Sequence, residues 1–158
     1  MKRLIRPALP DDFTTLVAID QSCFEEDVAY DAYELRYFMS QSSATTLVAE
    51  VDGAIAGFLL FEIRGAQSGA TLVTLDVTDI YRNAGIGSAL LAHSEELLAN
   101  HHTTCYRLQV DTTNSVALEF YSRRGFHVVR TLRHYYPNGA DAYLMEKRLG
   151  ALTRVHEG

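Results

Sequence analysis

The sequence predicts a mixed α/β fold, an α+β sheet of several strands with helices between them. Along the 158 residues, short runs with the alternation of β-strands are interspersed with longer runs of helical periodicity. Two further observations support this class. The dipeptide Asp52-Gly53 separates two strand-like runs, as is typical of a tight β-hairpin. A long strand-like run also precedes a strong amphipathic helix over residues 85–100.

The first half of the chain is predicted to form one strand, two helices and three more strands. Pro7 and Pro10 end the first strand, and the two aspartates after Pro10 suit the positive end of a helix dipole. The Asp-Gly turn fixes where two of the later strands meet. The predicted strands are residues 3–6, 46–51, 54–63 and 71–77, and the helices begin at residues 10 and 31.

The second half is predicted to alternate helix and strand before a closing pair of strands. Asn114 is a preferred helix N-cap residue and Gly125 a preferred terminator, so a helix is predicted between them. The predicted helices are residues 85–100 and 114–124, and the strands are residues 106–110, 128–132 and 142–147. The predicted order for the whole chain is β-α-α-β-β-β-α-β-α-β-β.

Length and composition favour one domain, assigned to residues 1–148, followed by a tail over residues 149–158. Fourteen basic and twenty acidic residues give a net charge of −6, which argues against a nucleic-acid partner. Cys23 and Cys105 are far apart, so neither a disulfide scaffold nor a structural zinc site is expected. With no secretory signal and no apolar run of about 20 residues, we expect a cytoplasmic protein without a membrane partner. Monomer and dimer both stay open.

The segment that carries most chemical information joins a strand to a helix and reads Arg82-Asn83-Ala84-Gly85-Ile86-Gly87-Ser88. Its two glycines let the backbone approach a ligand closely, and a helix start offers N–H groups and a positive dipole end. This arrangement suits a phosphate or pyrophosphate. A Walker A loop is excluded because no lysine follows Gly87, and a Rossmann fingerprint because Leu90 replaces its third glycine. Considered alone, the glycines are explained equally well by packing of the helix start.

Three stretches together resemble the GNAT superfamily of acyl-CoA-dependent N-acetyltransferases. They are residues 81–87, residues 114–126, and residues 133–137 with 141–145. Within the superfamily the chain is similar above all to the ribosomal-protein alanine N-acetyltransferases (the RimI type) and to N-terminal acetyltransferase catalytic subunits. The resemblance spans the chain from the first strand to Lys147. It implies the GNAT fold with splayed central strands, and acetyl-CoA as cosubstrate without a metal.

The resemblance implies that acetyl-CoA is bound largely by backbone groups. Leu75, Asp76 and Val77 would lie on the strand that pairs with the pantetheine arm and polarises the thioester carbonyl. The glycine-rich helix start would hold the pyrophosphate, and Asn114 would hydrogen-bond the CoA chain. The helix-start residues assigned to the cofactor are Arg82, Asn83, Ala84, Gly85, Ile86, Gly87 and Ser88.

The resemblance also assigns the proton-transfer groups. Tyr121 would be the general acid that protonates the departing thiolate, and a phenol is protonated at neutral pH. Without the resemblance, Tyr121 would be a core aromatic residue of its helix. Where the RimI type carries a glutamate proposed as the general base, this chain has Gln109, whose neutral amide accepts a proton poorly. Asp76, His134 or a chain of waters are the alternatives for the base.

Four residues are assigned to the acceptor substrate: Phe24, Glu25, Tyr135 and Tyr136. The first two lie where the family's substrate loop is found, in an acidic stretch that would attract a cationic amine. A solvated surface explains that stretch nearly as well. The tyrosine pair resembles the tyrosines that grip the first peptide units of the acceptor in N-terminal acetyltransferases, and aromatic packing on the sheet is the alternative.

The resulting hypothesis is direct transfer of an acetyl group from acetyl-CoA to the α-amine of a protein or peptide, with a ribosomal protein as one candidate acceptor. A weak base suits an α-amine, whose pKa is about 7.7–8.0, better than a lysine with a pKa of about 10.4. Deprotonating lysine at neutral pH costs about 3 kcal/mol more. The alternatives are a lysine or small-amine acetyltransferase and a non-catalytic acyl-CoA-binding module.

Overall fold

The helices and strands follow one another in the predicted order in a computed structural model, which describes residues 2–24, 29–64 and 69–150. The helices are α1 (Phe13–Cys23), α2 (Ala32–Ser40), α3 (Ile86–Asn100) and α4 (Ser115–Arg123). The strands are β1 (Arg3–Pro7), β2 (Ala44–Val51), β3 (Ala54–Ile63), β4 (Ala70–Val77), β5 (Cys105–Asp111), β6 (His127–Leu132) and β7 (Ala142–Arg148). Two short 3-10 turns, Pro10–Asp12 and Asp79–Tyr81, precede α1 and follow β4.

The described strands form one mixed sheet in the order β1-β2-β3-β4-β5-β7-β6. The β1–β2, β2–β3, β5–β7 and β6–β7 pairs are antiparallel. The start of β4 pairs with β5 in parallel, where Ala70 lies opposite Tyr106 and Thr71 opposite Arg107. A parallel pair needs a crossover, and helix α3 lies between the two strands in the chain. The predicted mixed α/β class is therefore confirmed.

The chain divides into two compact units, the first formed by residues 1–62 and 72–97. In unit one, apolar side chains of α1 and α2 pack against side chains of β2 and β3. Arg6 donates hydrogen bonds to the carboxylates of Asp12 and Glu50, which ties the first turn after β1 to β2. The fully or nearly buried residues of this core are Leu16, Ile19, Leu35, Val48, Phe58 and Leu60.

Unit two contains residues 63–71 and 98–158. Its centre is aromatic: the ring of Phe126 lies 5.7 Å from that of Tyr106 and 5.6 Å from that of Tyr121. On the sheet, Arg107 of β5 donates to Glu146 of β7 over 2.9 Å. The two strands are therefore joined by an ion pair in addition to their backbone hydrogen bonds.

The element boundaries correct the sequence predictions in small ways. Pro7 was expected to lie beyond the first strand, but it is the last residue of β1 and lies opposite Leu47. Proline is tolerated there because β1 is at the edge of the sheet, where one side needs no N–H donor.

Asp52 and Gly53 have φ angles of 50° and 87°, the left-handed pair that a tight hairpin requires.

The predicted division into a domain and a tail is only partly covered by the described residues. Leu149, the first residue of the predicted tail, is buried, and its N–H donates to the carbonyl of Thr104 over 2.8 Å. Residues 151–158 lie outside the described part. Among the helices of the described ranges, none combines the length and apolarity needed to cross a membrane.

Candidate active site

The glycine-rich segment of unit one has the backbone geometry of a sharp turn into a helix. Asn83 and Gly85 adopt left-handed φ angles of 64° and 80°, and α3 begins at the next residue, Ile86. The first hydrogen bond of the helix joins the N–H of Ala89 to the carbonyl of Gly85 over 3.0 Å. The turn therefore leads directly into the first turn of α3, and the N–H groups of a first helical turn point outward along the helix axis. Such a start favours an anionic ligand.

Two arginine side chains form bonds at this turn and just before it. Arg3 of β1 donates to the carbonyl of Ala84 over 2.9 Å, across 81 positions of sequence. Arg82 donates from Nε to the carbonyl of Val77 over 3.1 Å and pairs with Asp79 over 2.6 Å. The guanidinium of Arg82, assigned to the cofactor by the resemblance, thus fixes the end of β4 to the turn that follows it.

Strand β4 places the three residues that were assigned to the pantetheine arm. Leu75 and Val77 are half-buried and alternate with buried Asp76, as the two faces of a strand require. The backbone of Gly57 lies so close that a Cβ atom there would be 2.4 Å from the carbonyl oxygen of Asp76. The tight approach explains a glycine inside β3.

The carboxyl group of Asp76 lies inside unit one. The residue is 1% exposed, and its Oδ1 accepts from the hydroxyl of Thr74 over 2.6 Å. Burial, followed by the neighbouring carboxyl group of Asp20 and its charge, raises the pKa of Asp76 well above its ordinary value. Asp76 therefore keeps its proton to a higher pH than an exposed aspartate does.

Sequence reasoning missed Asp20 as a functional candidate. Its side chain is completely buried on α1, where it accepts from the N–H of Tyr30 over 2.8 Å. The signal was present: Asp20 follows Phe13, Leu16 and Val17 at helical spacing, so a carboxylate continues an otherwise apolar stripe. Buried carboxylates need partners, and those partners are distant in sequence.

The acceptor residues predicted near the end of α1 are only partly described. Phe24 is half-buried and ends the helix, with its N–H donating to the carbonyl of Asp20 over 3.2 Å. Cys23, one residue earlier, donates from its thiol to the carbonyl of Val77 over 3.4 Å. Burial raises the pKa of this thiol. Glu25 lies outside the described residues.

In unit two, Tyr121 is 8% exposed and lies among aromatic rings. Its ring meets that of Phe120 edge-on at 5.2 Å and that of Phe126 at 5.6 Å. Its backbone carbonyl accepts from Phe126 and from Arg124, which closes the end of α4. The ring position is fixed by packing on two sides, and a phenol held in this way can donate a proton along a defined direction.

Asn114 and Gln109 occupy well-defined positions in the same unit. Asn114 is the N-cap of α4, as predicted, and its Oδ1 accepts from the N–H of Ala117 over 3.1 Å. The amide nitrogen is the side-chain donor that it can offer to a ligand. Gln109 is half-buried on β5, opposite Leu144 of β7.

The tyrosine pair lies on the loop between β6 and β7. The rings of Tyr135 and Tyr136 meet edge-on at 5.0 Å, and burial raises the pKa of Tyr136 to about 12. The loop is hydrogen-bonded within itself, since Tyr136 N–H donates to Ala140 and His134 N–H donates to Asp141 over 2.8 Å. Burial also raises the pKa of Tyr135, so both phenols can act as hydrogen-bond donors.

His134, one of the alternatives for the base, has a left-handed φ of 52° and an exposed side chain. Its Nδ1 lies 3.2 Å from the carbonyl oxygen of Gly139. A carbonyl oxygen accepts hydrogen bonds only, so Nδ1 is the donor in this contact. Within the described ranges, no group of three or more histidine, cysteine or acidic side chains is arranged to hold a metal ion.

Comparison with known proteins gives the family. Residues 13–126 match the family described as Acetyltransferase (GNAT) family. An N-alpha-acetyltransferase of Sulfurisphaera tokodaii is 32% identical over 152 residues, which cover 89% of this chain and 90% of that protein. Ard1 from Thermoplasma volcanium has the same fold, with a TM-score of 0.87 and 26% identity over 95% of this chain and 99% of that one.

A third similarity is to a chain in the crystal structure of the NatC complex bound to Gag peptide and CoA. It has a TM-score of 0.80 and 21% identity over 95% of this chain and all of that one, which shows a shared fold. The family match covers most of the described chain, and the relative covers nearly its full length. The chain therefore belongs to the GNAT family of acetyltransferases, as the sequence predicted.

Proposed function

We propose that this protein is an acetyl-CoA-dependent N-terminal acetyltransferase that acts on the α-amine of a protein or peptide. One observation carries this proposal: a relative named N-alpha-acetyltransferase is 32% identical across nearly the whole of both chains. The NatC neighbour, whose complex holds both a peptide and CoA, supports the same pair of ligands.

The proposed cofactor site fits the geometry of unit one. The left-handed turn at Asn83 and Gly85 opens directly into α3, so the backbone from Asn83 to Ser88 is suited to an anionic pyrophosphate. Acetyl-CoA would supply the thioester that is cleaved. The backbone at Leu75 and Val77 would bind its arm, and Asn114 would donate to it from the amide nitrogen.

The proposed reaction is a direct transfer without a covalent acyl-enzyme. The neutral amine nitrogen bonds to the thioester carbonyl carbon, the carbon–sulfur bond breaks, and Tyr121 gives its proton to the departing thiolate. The attacking nitrogen gives one proton to water as the amide bond forms, and the phenolate of Tyr121 takes a proton back from water. Most of the acceleration comes from juxtaposing the two substrates and from a backbone N–H on the carbonyl oxygen.

The nature of the acceptor follows from the weak base. Gln109 stands where the RimI type has its glutamate, and Asp76, whose carboxyl group is buried away from solvent, is a poor substitute. An α-amine, with a pKa of about 7.7–8.0, is partly neutral near pH 7 without any base, whereas a lysine amine is not. We expect the phenols of Tyr135 and Tyr136 to donate to the carbonyls of the first peptide units.

The proposal is tested by measuring thiol release from acetyl-CoA with a panel of amines. The panel contains peptides with free N-termini, including an N-terminal alanine sequence of a ribosomal protein, N-terminally blocked lysine peptides, and small polyamines. The proposal predicts turnover with the first group. Turnover confined to blocked lysine peptides or polyamines would overturn the acceptor, and CoA binding without turnover of any amine would indicate a non-catalytic module.

A further inference from the structure

The two buried aspartates of unit one meet between helix α1 and strand β4. Oδ2 of Asp20 accepts from the N–H of Tyr30 over 2.8 Å, and its Oδ1 lies 3.4 Å from the hydroxyl of Thr74. The same hydroxyl lies 2.6 Å from Oδ1 of Asp76. Asp20 and Asp76 are 0% and 1% exposed. Two buried carboxyl groups thus share one hydroxyl donor.

This cluster has too few hydrogen-bond donors to satisfy two ionised carboxylates. The hydroxyl of Thr74 has a single proton, and its shorter contact is to Asp76. Oδ2 of Asp76 has no hydrogen-bond partner among the described residues. If both carboxyls were ionised, this buried oxygen would have neither a donor nor solvent, at a high free-energy cost. A proton on Asp76 removes one charge and turns its carboxyl into a donor.

The other titratable and charged groups around the pair are few. Cys23, on α1, bonds through its thiol to Val77, and Arg82 bonds to Val77 and Asp79. The charge of Arg82 lowers the pKa of Asp76, but burial and Asp20 outweigh it. Sharing one proton avoids two negative charges on neighbouring buried carboxyls, as in other close carboxyl pairs.

We infer that Asp20 and Asp76 share one proton and act as a positioning pair, fixing the two ends of the α1–α2 connection, Phe24 and Tyr30, beside the cofactor strand β4. The carboxylate of Asp20 accepts from the N–H of Tyr30, and the backbone carbonyl of the same residue accepts from the N–H of Phe24, as at any helix end, so both ends are bonded to one residue. Asp76 follows Leu75 on the strand assigned to acetyl-CoA. The inference rests on the proposed function in that Phe24 is taken as an acceptor-binding residue.

The shared proton is tested in the full-length protein without substrate, by following the aspartate carboxyl carbons by NMR as a function of pH. Asp76 is expected to titrate well above an ordinary aspartate. In Asp20→Asn, which keeps an oxygen for Tyr30 and adds an amide donor, the pKa of Asp76 should fall because the neighbouring charge is gone. An Asp76 that titrates normally, or that does not respond to Asp20→Asn, overturns the shared proton.

The positioning role is tested by Asp20→Ala, with Asp20→Asn as the conservative rescue and Asp11→Asn, an exposed aspartate of the same region, as the control. Asp20→Ala should speed exchange of the Tyr30 amide at least tenfold and raise the acceptor KM at least tenfold, with the Kd for acetyl-CoA within twofold. Asp20→Asn should restore both. Unchanged Tyr30 exchange and KM in folded Asp20→Ala would overturn the role. If Asp20→Ala does not fold, Asp20→Asn alone decides: retained Tyr30 protection supports the role, and lost protection overturns it.

The two proposals fail in different ways. If no peptide is acetylated by the wild-type protein, the proposed function fails, while the carboxyl titration and the Tyr30 exchange still decide on the pair. If peptides are acetylated but Asp76 titrates normally, the proposed function stands and the pair is refuted.

Discussion

In unit one the groups proposed to bind acetyl-CoA are mostly backbone, set by the left-handed turn at Asn83 and Gly85 and by the start of α3. In unit two the groups proposed to move protons are side chains: Tyr121 fixed between two rings, and Gln109 on β5. A backbone site is altered by adding atoms that fill it, whereas a side-chain site is altered by removing one functional group. Changes at the turn and at the start of α3 should therefore affect binding of acetyl-CoA, and changes at Tyr121 and Gln109 should affect turnover.

The largest effect is expected from Tyr121→Phe. Removing the phenolic hydroxyl takes away the proposed acid, so kcat should fall by about 10²–10⁴-fold while the Kd for CoA stays near the wild-type value. Steady-state kinetics and calorimetry measure the two quantities.

Phe126→Leu is the matched control, because it disturbs the ring that packs on Tyr121 at 5.6 Å and leaves the hydroxyl in place. It should lower the free energy of unfolding by a larger amount than it raises the activation free energy of turnover. Tyr121→Phe with more than half of wild-type turnover would reduce Tyr121 to a packing residue.

The next effect concerns Gly87→Glu in unit one. A carboxylate at the second residue of α3 would occupy and repel the proposed pyrophosphate, whereas glutamate in a first helical turn otherwise favours the helix. At about 100 times Kd, acetyl-CoA should stabilise the wild type by about 2.7 kcal/mol, and this shift should vanish in the variant. Thermal melts with and without acetyl-CoA measure it.

Ala92→Glu places the same charge at an exposed position of the same helix and should keep the full shift. A wild-type melting temperature that does not move in millimolar acetyl-CoA would contradict the cofactor assignment altogether.

A smaller effect is expected at Gln109. Without a strong base, the wild-type rate on N-terminal peptides should fall about tenfold per pH unit below the pKa of the α-amine and level off above it. Gln109→Glu should raise the rate most at low pH and help lysine peptides more than N-terminal ones. The pH–rate profiles of both peptide classes measure this.

Gln109→Met is the control for Gln109→Glu, because it keeps the approximate shape of the side chain and adds no charge. The two variants together separate an effect on proton transfer from an effect on packing. A wild-type enzyme that already prefers lysine peptides, with a sharp enzyme pKa near neutrality, would show that another base exists.

The smallest effect concerns the free energy of unfolding. The contributions of one carboxyl group in each unit should change with pH in opposite directions. The pKa of Asp76 is raised by burial and Asp20, so its contribution is complete at low pH and lost as pH rises through that raised value. The pKa of Glu146 is lowered mainly by the hydrogen bond from Arg107, so its contribution is complete near neutrality and lost in acid.

Urea unfolding from about pH 3 to about pH 9 should therefore show Asp76→Asn more stable than wild type at the alkaline end. Glu146→Gln should be less stable near neutrality by under about 1 kcal/mol, because Arg107 is partly exposed. The same pH dependence in both variants would contradict the assignment of the two environments.

Features that depend on neighbouring residues were predictable from the sequence. The hairpin at Asp52-Gly53, the N-cap at Asn114 and the helix after Gly85 are signalled within a few positions, and each is found. The glycine-rich turn is also a short local motif, so the resemblance built on it identified the family from the sequence. Local chemistry dictates local backbone.

Features that join distant segments were not predictable. The bond from Arg3 to Ala84 spans 81 positions, and the contact between Asp20 and Thr74 spans 54. A carboxylate on an apolar helix face indicates a buried partner, but only the fold supplies the partner's identity. The raised pKa of Asp76 depends on burial and on Asp20, so it became apparent only in the structure.

The central claim is that the acetyl group goes to an α-amine, and one peptide carrying both a free N-terminus and one lysine tests it directly. The peptide is incubated with the protein and acetyl-CoA, and fragmentation mass spectrometry locates the added acetyl group. We predict that it is found on the N-terminal nitrogen, with the lysine unmodified. An acetyl group on the lysine, with the N-terminus free, would contradict the account.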